Sequence, residues 1–210
     1  MKILIADDHT IVREGIIRIL KEAFPFAEIT DVCDSVDLMK HVLKGGVWDV
    51  IICDISMPPG DSGLEAIKKI KEHTPRTPVI ILSMHAVDQY AVRAIRAGAS
   101  GYLTKDAATL ELVKAVNHVL SHRKYLSPEV ADAMADAFEN DNSNLSVENL
   151  SDREFEVFKL LASGKSVSEI AQQLILSPNT ISTFRAKINE KMGFRNNMEL
   201  IKYAVDNKLI

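Results

Sequence analysis

The chain has 210 residues, of which 47% are hydrophobic and 26% are charged, and its formal net charge is −4. This composition is typical of a folded globular protein, and two cysteines are too few for a disulfide scaffold or a cysteine-rich zinc site. No stretch approaches the roughly 18 to 20 apolar residues of a membrane span, and the N-terminus does not resemble a secretory signal, so we expect a cytoplasmic protein without membrane contact.

The first 125 residues alternate short apolar runs with amphipathic segments. Runs such as Val79-Ile80-Ile81-Leu82 are apolar throughout and rich in β-branched residues, which is typical of strands buried on both faces of a parallel sheet. The predicted strands are residues 3–6, 28–33, 50–53, 79–82 and 101–103. The predicted helices are residues 11–23, 35–43, 64–73, 88–97 and 109–121. This alternation predicts an α/β doubly wound fold with a five-stranded parallel sheet.

Polar residues follow the ends of four predicted strands. Asp7 and Asp8 follow the first strand, Asp54 follows the third, Ser83 the fourth, and Lys105 lies just past the fifth. Because open parallel sheets bind ligands beyond the carboxyl ends of their strands, we expect these side chains to converge on one rim. Each aspartate taken alone is more readily explained as a helix cap, but caps do not explain the whole set.

The residue types at this rim suit phosphoryl chemistry. Clustered carboxylates favour Mg²⁺, which offsets charge repulsion while a carboxylate attacks phosphorus and forms an acyl phosphate. A nearby lysine ammonium neutralises phosphoryl oxygens, and a hydroxyl group can bond to one of them after transfer. The histidines show no metal-ligand spacing, and His9 is expected to be a surface or helix-end residue.

These residues resemble the receiver domain of two-component response regulators over about residues 1–122. The motifs that carry the resemblance are Asp7-Asp8, Asp54 followed by Met57-Pro58, Ser83, and Lys105-Asp106. The resemblance implies a flavodoxin/CheY-like fold in which Asp54 accepts phosphate from a histidine kinase. It implies Mg²⁺ ligation by Asp7, Asp8, Asp54 and the backbone carbonyl of Ser56. It also implies that Lys105 and Ser83 contact the phosphoryl group and that Tyr102 turns inward as Ser83 moves.

The segment after residue 125 changes in charge. Residues 126–148 contain six acidic residues and no lysine or arginine. Ser127-Pro128 predicts the start of a helix that runs to about Phe138, and the polar residues 139–144 predict a mobile linker.

The last sixty residues carry clear helix start signals. Ser151 with Glu154, and Ser166 with Glu169, have the spacing of capping boxes. Ser177-Pro178 opens a helix that runs to about Met192, and a fourth helix is expected from Met198 to Lys208. The short connection before Ser177 is typical of a helix-turn-helix.

This region resembles the LuxR-type helix-turn-helix of the NarL/FixJ subfamily. The matching landmarks are Gly164-Lys165-Ser166, Glu169-Ile170-Ala171, Leu174, Ser177-Pro178-x-Thr180-Ile181 and Lys191-Met192-Gly193. The resemblance implies that helix 178–192 enters the DNA major groove and that the last helix forms a dimer contact through Met198, Ile201, Lys202 and Val205.

Helical periodicity indicates which face of helix 178–192 meets DNA. Ile181, Phe184, Ile188 and Met192 form one apolar stripe, which we expect to face the core. The predicted DNA-binding residues on the remaining surface are Asn179, Thr180, Ser182, Thr183, Arg185, Ala186, Lys187 and Lys191. A plain solvated helix surface is the alternative interpretation.

We therefore predict a response regulator with a receiver domain (1–123), an acidic linker with a helix (124–147) and a LuxR-type DNA-binding domain (148–210). The expected partners are a sensor histidine kinase, promoter DNA and a second copy of the chain, and the expected cofactor is Mg²⁺. Two alternatives stay open: a phosphohydrolase that uses Asp54 as its nucleophile, and a DNA-binding protein that is independent of phosphorylation. Position 56 is Ser rather than the acid that such hydrolases often carry, and the complete rim disfavours the second alternative.

Overall fold

The computed structural model describes residues 1–57, 63–84, 87–139, 147–207 and 209–210. The chain forms two compact units, Met1–Glu139 and Asn140–Ile210. Pro58 of the receiver motif and residues 140–144 of the predicted mobile linker lie outside the described residues. Within the part of the chain that is described, no helix combines the length and apolar character needed to cross a membrane.

The first unit contains a five-stranded parallel sheet, which confirms the predicted fold class. Its strands are β1 (Lys2–Ala6), β2 (Glu28–Val32), β3 (Val50–Asp54), β4 (Val79–Ser83) and β5 (Gly101–Thr104). Their spatial order is β2-β1-β3-β4-β5, so the order reverses between β1 and β3. That reversal creates a crevice at the carboxyl ends of these two strands, where Asp7 and Asp54 lie.

Five helices connect and follow the strands. They are α1 (Thr10–Ala23), α2 (Ser35–Leu43), α3 (Gly63–His73), α4 (Val87–Ala97) and α5 (Lys105–Leu120). The fifth helix was predicted from residue 109 but begins at Lys105, because the Thr104 hydroxyl accepts a hydrogen bond from the Ala107 N–H at 3.3 Å. Thr104 is therefore both the last residue of β5 and the N-cap of α5, and this places Lys105 at the rim.

The apolar runs of the central strands form the core. Every residue of β3 and β4 is buried, as expected for strands that helices cover on both faces. On one face, Ile5 and Ile52 belong to a cluster with Leu112 and Val116 of α5. Complete burial of such side chains contributes about 1.5 to 3 kcal/mol each, so this packing fixes the strand ends in space.

The chain continues along the first unit beyond residue 123. Tyr125 is buried and its N–H donates to the Ser100 carbonyl at 2.8 Å, next to a parallel bridge with Gly101. Helix α6 (Pro128–Glu139) then packs against α4, with Val130 fully buried. The predicted linker helix exists, and it belongs to the first compact unit.

The regular elements among the described residues of the second unit are all helices. A short 3₁₀ helix (Val147–Asn149) precedes α7 (Asp152–Ala162), α8 (Val167–Leu174), α9 (Pro178–Met192) and α10 (Asn197–Asp206). Both capping boxes are present, at the starts of α7 and α8. Helix α9 has its predicted bounds, and α10 begins one residue earlier than predicted and ends at Asp206, whereas Lys208 lies outside the described residues.

We expect Gly63→Ala to lower the free energy of unfolding by about 1 to 3 kcal/mol, the usual cost of overpacking. Gly63 begins α3 and donates its N–H to the Ile55 carbonyl at 2.8 Å. A Cβ atom at this position would lie 2.6 Å from Ile55 Cα and would also collide with the Asp54 carbonyl oxygen.

Gly15→Ala is the matched control for urea denaturation. Gly15 lies inside α1 with open space around its missing Cβ, so alanine should stabilise the protein by about 0.5 to 1 kcal/mol through helix propensity. Equal effects of the two substitutions would contradict the close packing of α3 against the end of β3.

Candidate functional site

A buried lysine joins two aspartates at the carboxyl edge of the sheet. Lys105 Nζ lies 2.7 Å from Asp54 Oδ2 and 2.8 Å from Asp7 Oδ2. The exposed side-chain fractions are 5% for Lys105, 1% for Asp7 and 4% for Asp54. Three charges of the rim predicted from sequence thus meet in a site largely shielded from solvent, where electrostatic interactions are stronger than in water.

The electrostatics of this site leave Asp54 less acidic than an ordinary aspartate. Burial raises the pKa of Asp54 to about 6, and the negative charge of Asp7 adds to this effect, whereas Lys105 opposes it. Burial alone would lower the pKa of Lys105, but the two carboxylates outweigh burial and raise it. At neutral pH, Asp54 is therefore an ionised carboxylate beside a charged ammonium group.

Asp8 and His9 form the more exposed side of the rim. His9 Nδ1 lies 2.6 Å from Asp8 Oδ1, and the His9 N–H donates to Asp7 Oδ1 at 2.8 Å. Ser56 lies next to Asp54, whose Oδ1 accepts a long hydrogen bond of 3.4 Å from the Ser56 N–H. His9 is exposed and precedes the first helix, as predicted, but sequence reasoning missed its approach to the carboxylates.

The donor atoms of this rim fit a divalent cation. Asp7, Asp8, His9 and Asp54 each offer one ligand atom, and these atoms all lie within 4.8 Å of one another. Asp7 Oδ2 is buried and faces Lys105 in an ionic contact without a well-directed hydrogen bond. Carboxylate oxygens are the donors that Mg²⁺ prefers, so the residues present suit this ion.

Ser83 and Tyr102 lie on the strands beside Lys105. Ser83 ends β4 opposite Thr104 of β5, and it is fully buried. Tyr102 pairs with Ile81 and is also buried. Sequence reasoning expected Tyr102 to turn inward as Ser83 moves, whereas in this structure the ring is already inside.

Arg13 supports the rim from α1 and was not singled out from the sequence. Its guanidinium donates to the Asp7 carbonyl at 2.7 Å and to Asp31 Oδ2 at 2.8 Å. These contacts hold the turn between β1 and α1 in place. An arginine six residues after an aspartate carries no recognisable signal by itself, because the β2 residue Asp31 completes the arrangement.

Helix α9 exposes a polar surface at the edge of the second unit. The apolar stripe of this helix faces inward as predicted. Ile181, Ile188 and Met192 are buried, and Phe184 is half-buried. The predicted DNA-binding residues other than Thr180, which is half-buried, are exposed: Asn179, Ser182, Thr183, Arg185, Ala186, Lys187 and Lys191. The Thr180 hydroxyl shares a 2.8 Å hydrogen bond with the Ser177 hydroxyl, so Thr180 also stabilises the helix start.

Lys191 makes a structural contact within the second unit. Its Nζ lies 2.6 Å from Oε2 of Glu154, which is buried and also accepts the Ser151 N–H at 2.7 Å. Burial would raise the pKa of Glu154, but hydrogen bonds from Lys191 and Ser151 lower it below its usual range. This ion pair ties the end of α9 to the start of α7 and competes with any phosphate contact by Lys191.

Helix α10 carries the four predicted dimer-contact residues. Met198 is 80% exposed and Val205 is 56% exposed, so two large apolar side chains of this helix face solvent. Lys202 is also exposed, and Ile201 is half-buried. The spacing from Met198 to Val205 places these residues along one side of the helix.

Comparisons with known protein families agree with both halves of the chain. Residues 3–117 match the response regulator receiver domain, and residues 148–204 match the bacterial regulatory proteins of the luxR family. The chain therefore belongs to the response regulators that combine a receiver domain with a LuxR-type DNA-binding domain. This assignment makes it a transcription regulator and disfavours the phosphohydrolase alternative.

Full-length relatives and solved structures support the same assignment. The oxygen regulatory protein NreC of Staphylococcus carnosus is 35% identical over 216 residues, which covers 100% of this chain and 99% of the relative. NreC of Staphylococcus aureus is also 35% identical, over 217 residues with the same coverage. RcsB of Salmonella enterica serovar Typhimurium, bound to promoter rprA in the presence of phosphomimetic BeF3−, has a TM-score of 0.65 at 29% identity and covers 97% of this chain and 98% of its own.

We expect Asp54→Asn to stabilise the magnesium-free protein at pH 7 by about 1 to 3 kcal/mol. The folded state raises the pKa of Asp54 from 3.8 to about 6, so the folded protein binds this proton more tightly than the unfolded chain. The ionised carboxylate therefore destabilises the wild-type fold above about pH 6, and this penalty fades as the pH falls toward 4.

Urea denaturation at pH 4 to 7.5 in the presence of a chelator measures this difference. Asp132→Asn, on an exposed position of α6, is the control and should behave like the wild type. An Asp54→Asn protein that is less stable than the wild type at pH 7 would disprove the interpretation.

We expect Glu154→Ala to destabilise the second unit by about 2 to 3 kcal/mol, because it leaves Lys191 and the Ser151 N–H without their buried acceptor. Glu154→Gln keeps an acceptor for the helix cap and should cost less. Because the fold lowers the pKa of Glu154, the stabilisation is present at neutral pH and disappears as the pH falls through the folded-state pKa, below 4.5. Thermal unfolding monitored by circular dichroism tests both variants, and equal losses would contradict the role of the cap.

Proposed function

We propose that this protein is switched by phosphorylation of Asp54 by a sensor histidine kinase in a Mg²⁺-dependent reaction, and that the switched protein binds promoter DNA as a dimer. The observation that carries the proposal is the buried contact of Lys105 with both Asp54 and Asp7, beside the further donors Asp8 and His9. Three further ligand-bearing residues, Asp7, Asp8 and His9, lie around the Asp54 carboxylate at the sheet crevice where ligands bind in open parallel sheets.

The residues of the rim divide the phosphoryl transfer among them. An Asp54 carboxylate oxygen forms a bond to phosphorus while the phosphorus–nitrogen bond of the kinase phosphohistidine breaks, and the imidazole leaves with the electron pair. Lys105 is within reach to neutralise the added phosphoryl charge, and its position as the first residue of α5 adds the favourable field of a helix N-terminus. Mg²⁺ held by Asp7, Asp8, Asp54 and the Ser56 carbonyl supplies charge neutralisation when bound.

The signal leaves the rim through β4 and β5. The Ser83 hydroxyl, at the end of β4, bonds to a new phosphoryl oxygen and draws the last segment of β4 with it. Tyr102, in the neighbouring strand, keeps its buried position when this segment is drawn in. Phosphorylation thus favours one of two packings of the rim, in the sense of a population shift.

The DNA-binding half of the proposal rests on α9 and α10. The exposed polar face of α9 enters the major groove, and Arg185 and Lys187 contact backbone phosphates. The exposed apolar residues Met198 and Val205 of α10 pack against a second copy. The solved RcsB structures support this arrangement, since one is bound to a promoter and another contains two RcsB dimers on two parallel DNAs.

We expect wild-type protein treated with Mg²⁺ and a small acyl-phosphate donor to gain phosphate, dimer mass and DNA affinity together. Asp54→Asn should gain none of these, because the amide is not a nucleophile for phosphorus. Intact-mass spectrometry, light scattering and fluorescence anisotropy with a DNA duplex measure the three changes. Asp132→Asn is the control that removes an exposed carboxylate elsewhere. A gain of dimer and affinity by Asp54→Asn would favour the phosphorylation-independent alternative.

We expect Arg185→Ala and Lys187→Ala each to weaken binding to a mixed-sequence duplex and to reduce the slope of log K against log salt by about 1. Both side chains are exposed on α9, so the losses should not come from unfolding. Lys114→Ala removes one exposed cation from the first unit and should leave the slope unchanged. Equal slopes for all four proteins would exclude phosphate contacts by these two residues.

A further inference from the structure

His9 occupies a helix N-cap but does not cap the helix. It precedes α1 with extended backbone angles (φ −89°, ψ 103°), and its side chain makes no cap hydrogen bond. Ser, Thr, Asp and Asn are preferred at this position because their oxygen accepts a helix N–H, a contact that contributes about 1 kcal/mol. A residue that forgoes this contact at the edge of a site is expected to serve the site instead.

The His9 ring turns toward the carboxylates of the rim. Its Nδ1 lies 2.6 Å from Asp8 Oδ1, 3.4 Å from Asp7 Oδ1 and 4.0 Å from Asp54 Oδ2. The side chain is 60% exposed, so it borders the solvent-facing side of the site. The rim therefore offers one imidazole nitrogen together with three carboxylates, all within ligand range of one another.

This donor set is not that of a site limited to Mg²⁺. Magnesium takes oxygen ligands and gains little from an imidazole, whereas Zn²⁺ binds imidazole and carboxylate together and is commonly four-coordinate. We propose that His9 makes this rim a mixed nitrogen and oxygen site that binds Zn²⁺ in competition with Mg²⁺. The inference rests on the proposed cation site for its location.

Competition at this site has a consequence for signalling. A Zn²⁺ ion that engages His9 together with Asp54 occupies the carboxylate that is to accept phosphate. Zinc therefore lowers phosphorylation of the wild type in the presence of Mg²⁺, and replacement of His9 reduces this inhibition. Phosphorylation of the rim then depends both on the kinase and on the concentration of Zn²⁺.

Isothermal titration calorimetry of the full chain with Zn²⁺ and, separately, with Mg²⁺ tests the inference. All proteins carry Cys33→Ser, because Cys33 is a free, exposed cysteine and thiolates are preferred zinc ligands. We expect His9→Asn to lower the Zn²⁺ affinity at least about tenfold, because replacement of even a supporting residue of a metal site produces such a loss. Its Mg²⁺ affinity should stay within about twofold of that of the Cys33→Ser protein. His73→Asn is the control, since its exposed ring bonds to the Lys69 carbonyl on α3 and should change neither affinity.

Asp8→Asn separates failure of this inference from failure of the proposed cation site. Loss of both metals by Asp8→Asn, together with selective loss of Zn²⁺ by His9→Asn, supports the inference. Unchanged Zn²⁺ affinity in His9→Asn, or equal loss of both metals, would overturn it and leave His9 as a hydrogen-bond partner of Asp8. If Asp8→Asn lost neither metal, the rim would not be the cation site and the Mg²⁺ part of the proposed function would fail as well.

Discussion

The contact of one lysine ammonium with two buried carboxylates is the interaction on which the first unit depends. Asp7 and Asp54 extend from neighbouring strands into a space that water scarcely reaches, and without a cation between them they would repel each other. Lys105 balances much of this repulsion while leaving the pKa of Asp54 at about 6. The same contact thus permits burial of the site and keeps a carboxylate in its reactive, ionised form at neutral pH.

The sheet and its connections fix the positions of the charged groups that make this contact. Lys105 arrives from the far edge of the sheet, because Thr104 ends β5 and caps α5 immediately before it. Gly63 approaches the end of β3 so closely that its N–H bonds to the Ile55 carbonyl. Small changes in these connections would move charged groups by distances that matter for a 2.7 Å ion pair. The electrostatics of the rim therefore depend on the packing that fixes the strand ends and their connections.

The second unit uses a buried charge in a different way. Glu154 satisfies the start of α7 and pairs with Lys191 at the end of α9, so it fixes the relative position of these helices. This helix position is what presents the polar face of α9 outward. A buried charge that is fully hydrogen-bonded specifies geometry even when its net contribution to stability is modest. The orientation of the exposed face of α9 thus depends on Glu154, a buried residue of α7.

The sequence by itself determined the elements and most of the chemistry. Apolar runs of β-branched residues predicted the strands, capping boxes predicted two helix starts, and the polar residues at strand ends predicted the rim, because these signals are local. Tertiary structure decided what depends on distant partners. It joined Lys105 to Asp7 and Asp54, and it engaged Lys191 with Glu154 across two helices. Such contacts depend on packing between segments far apart in the chain, which a pattern of neighbouring residues does not encode.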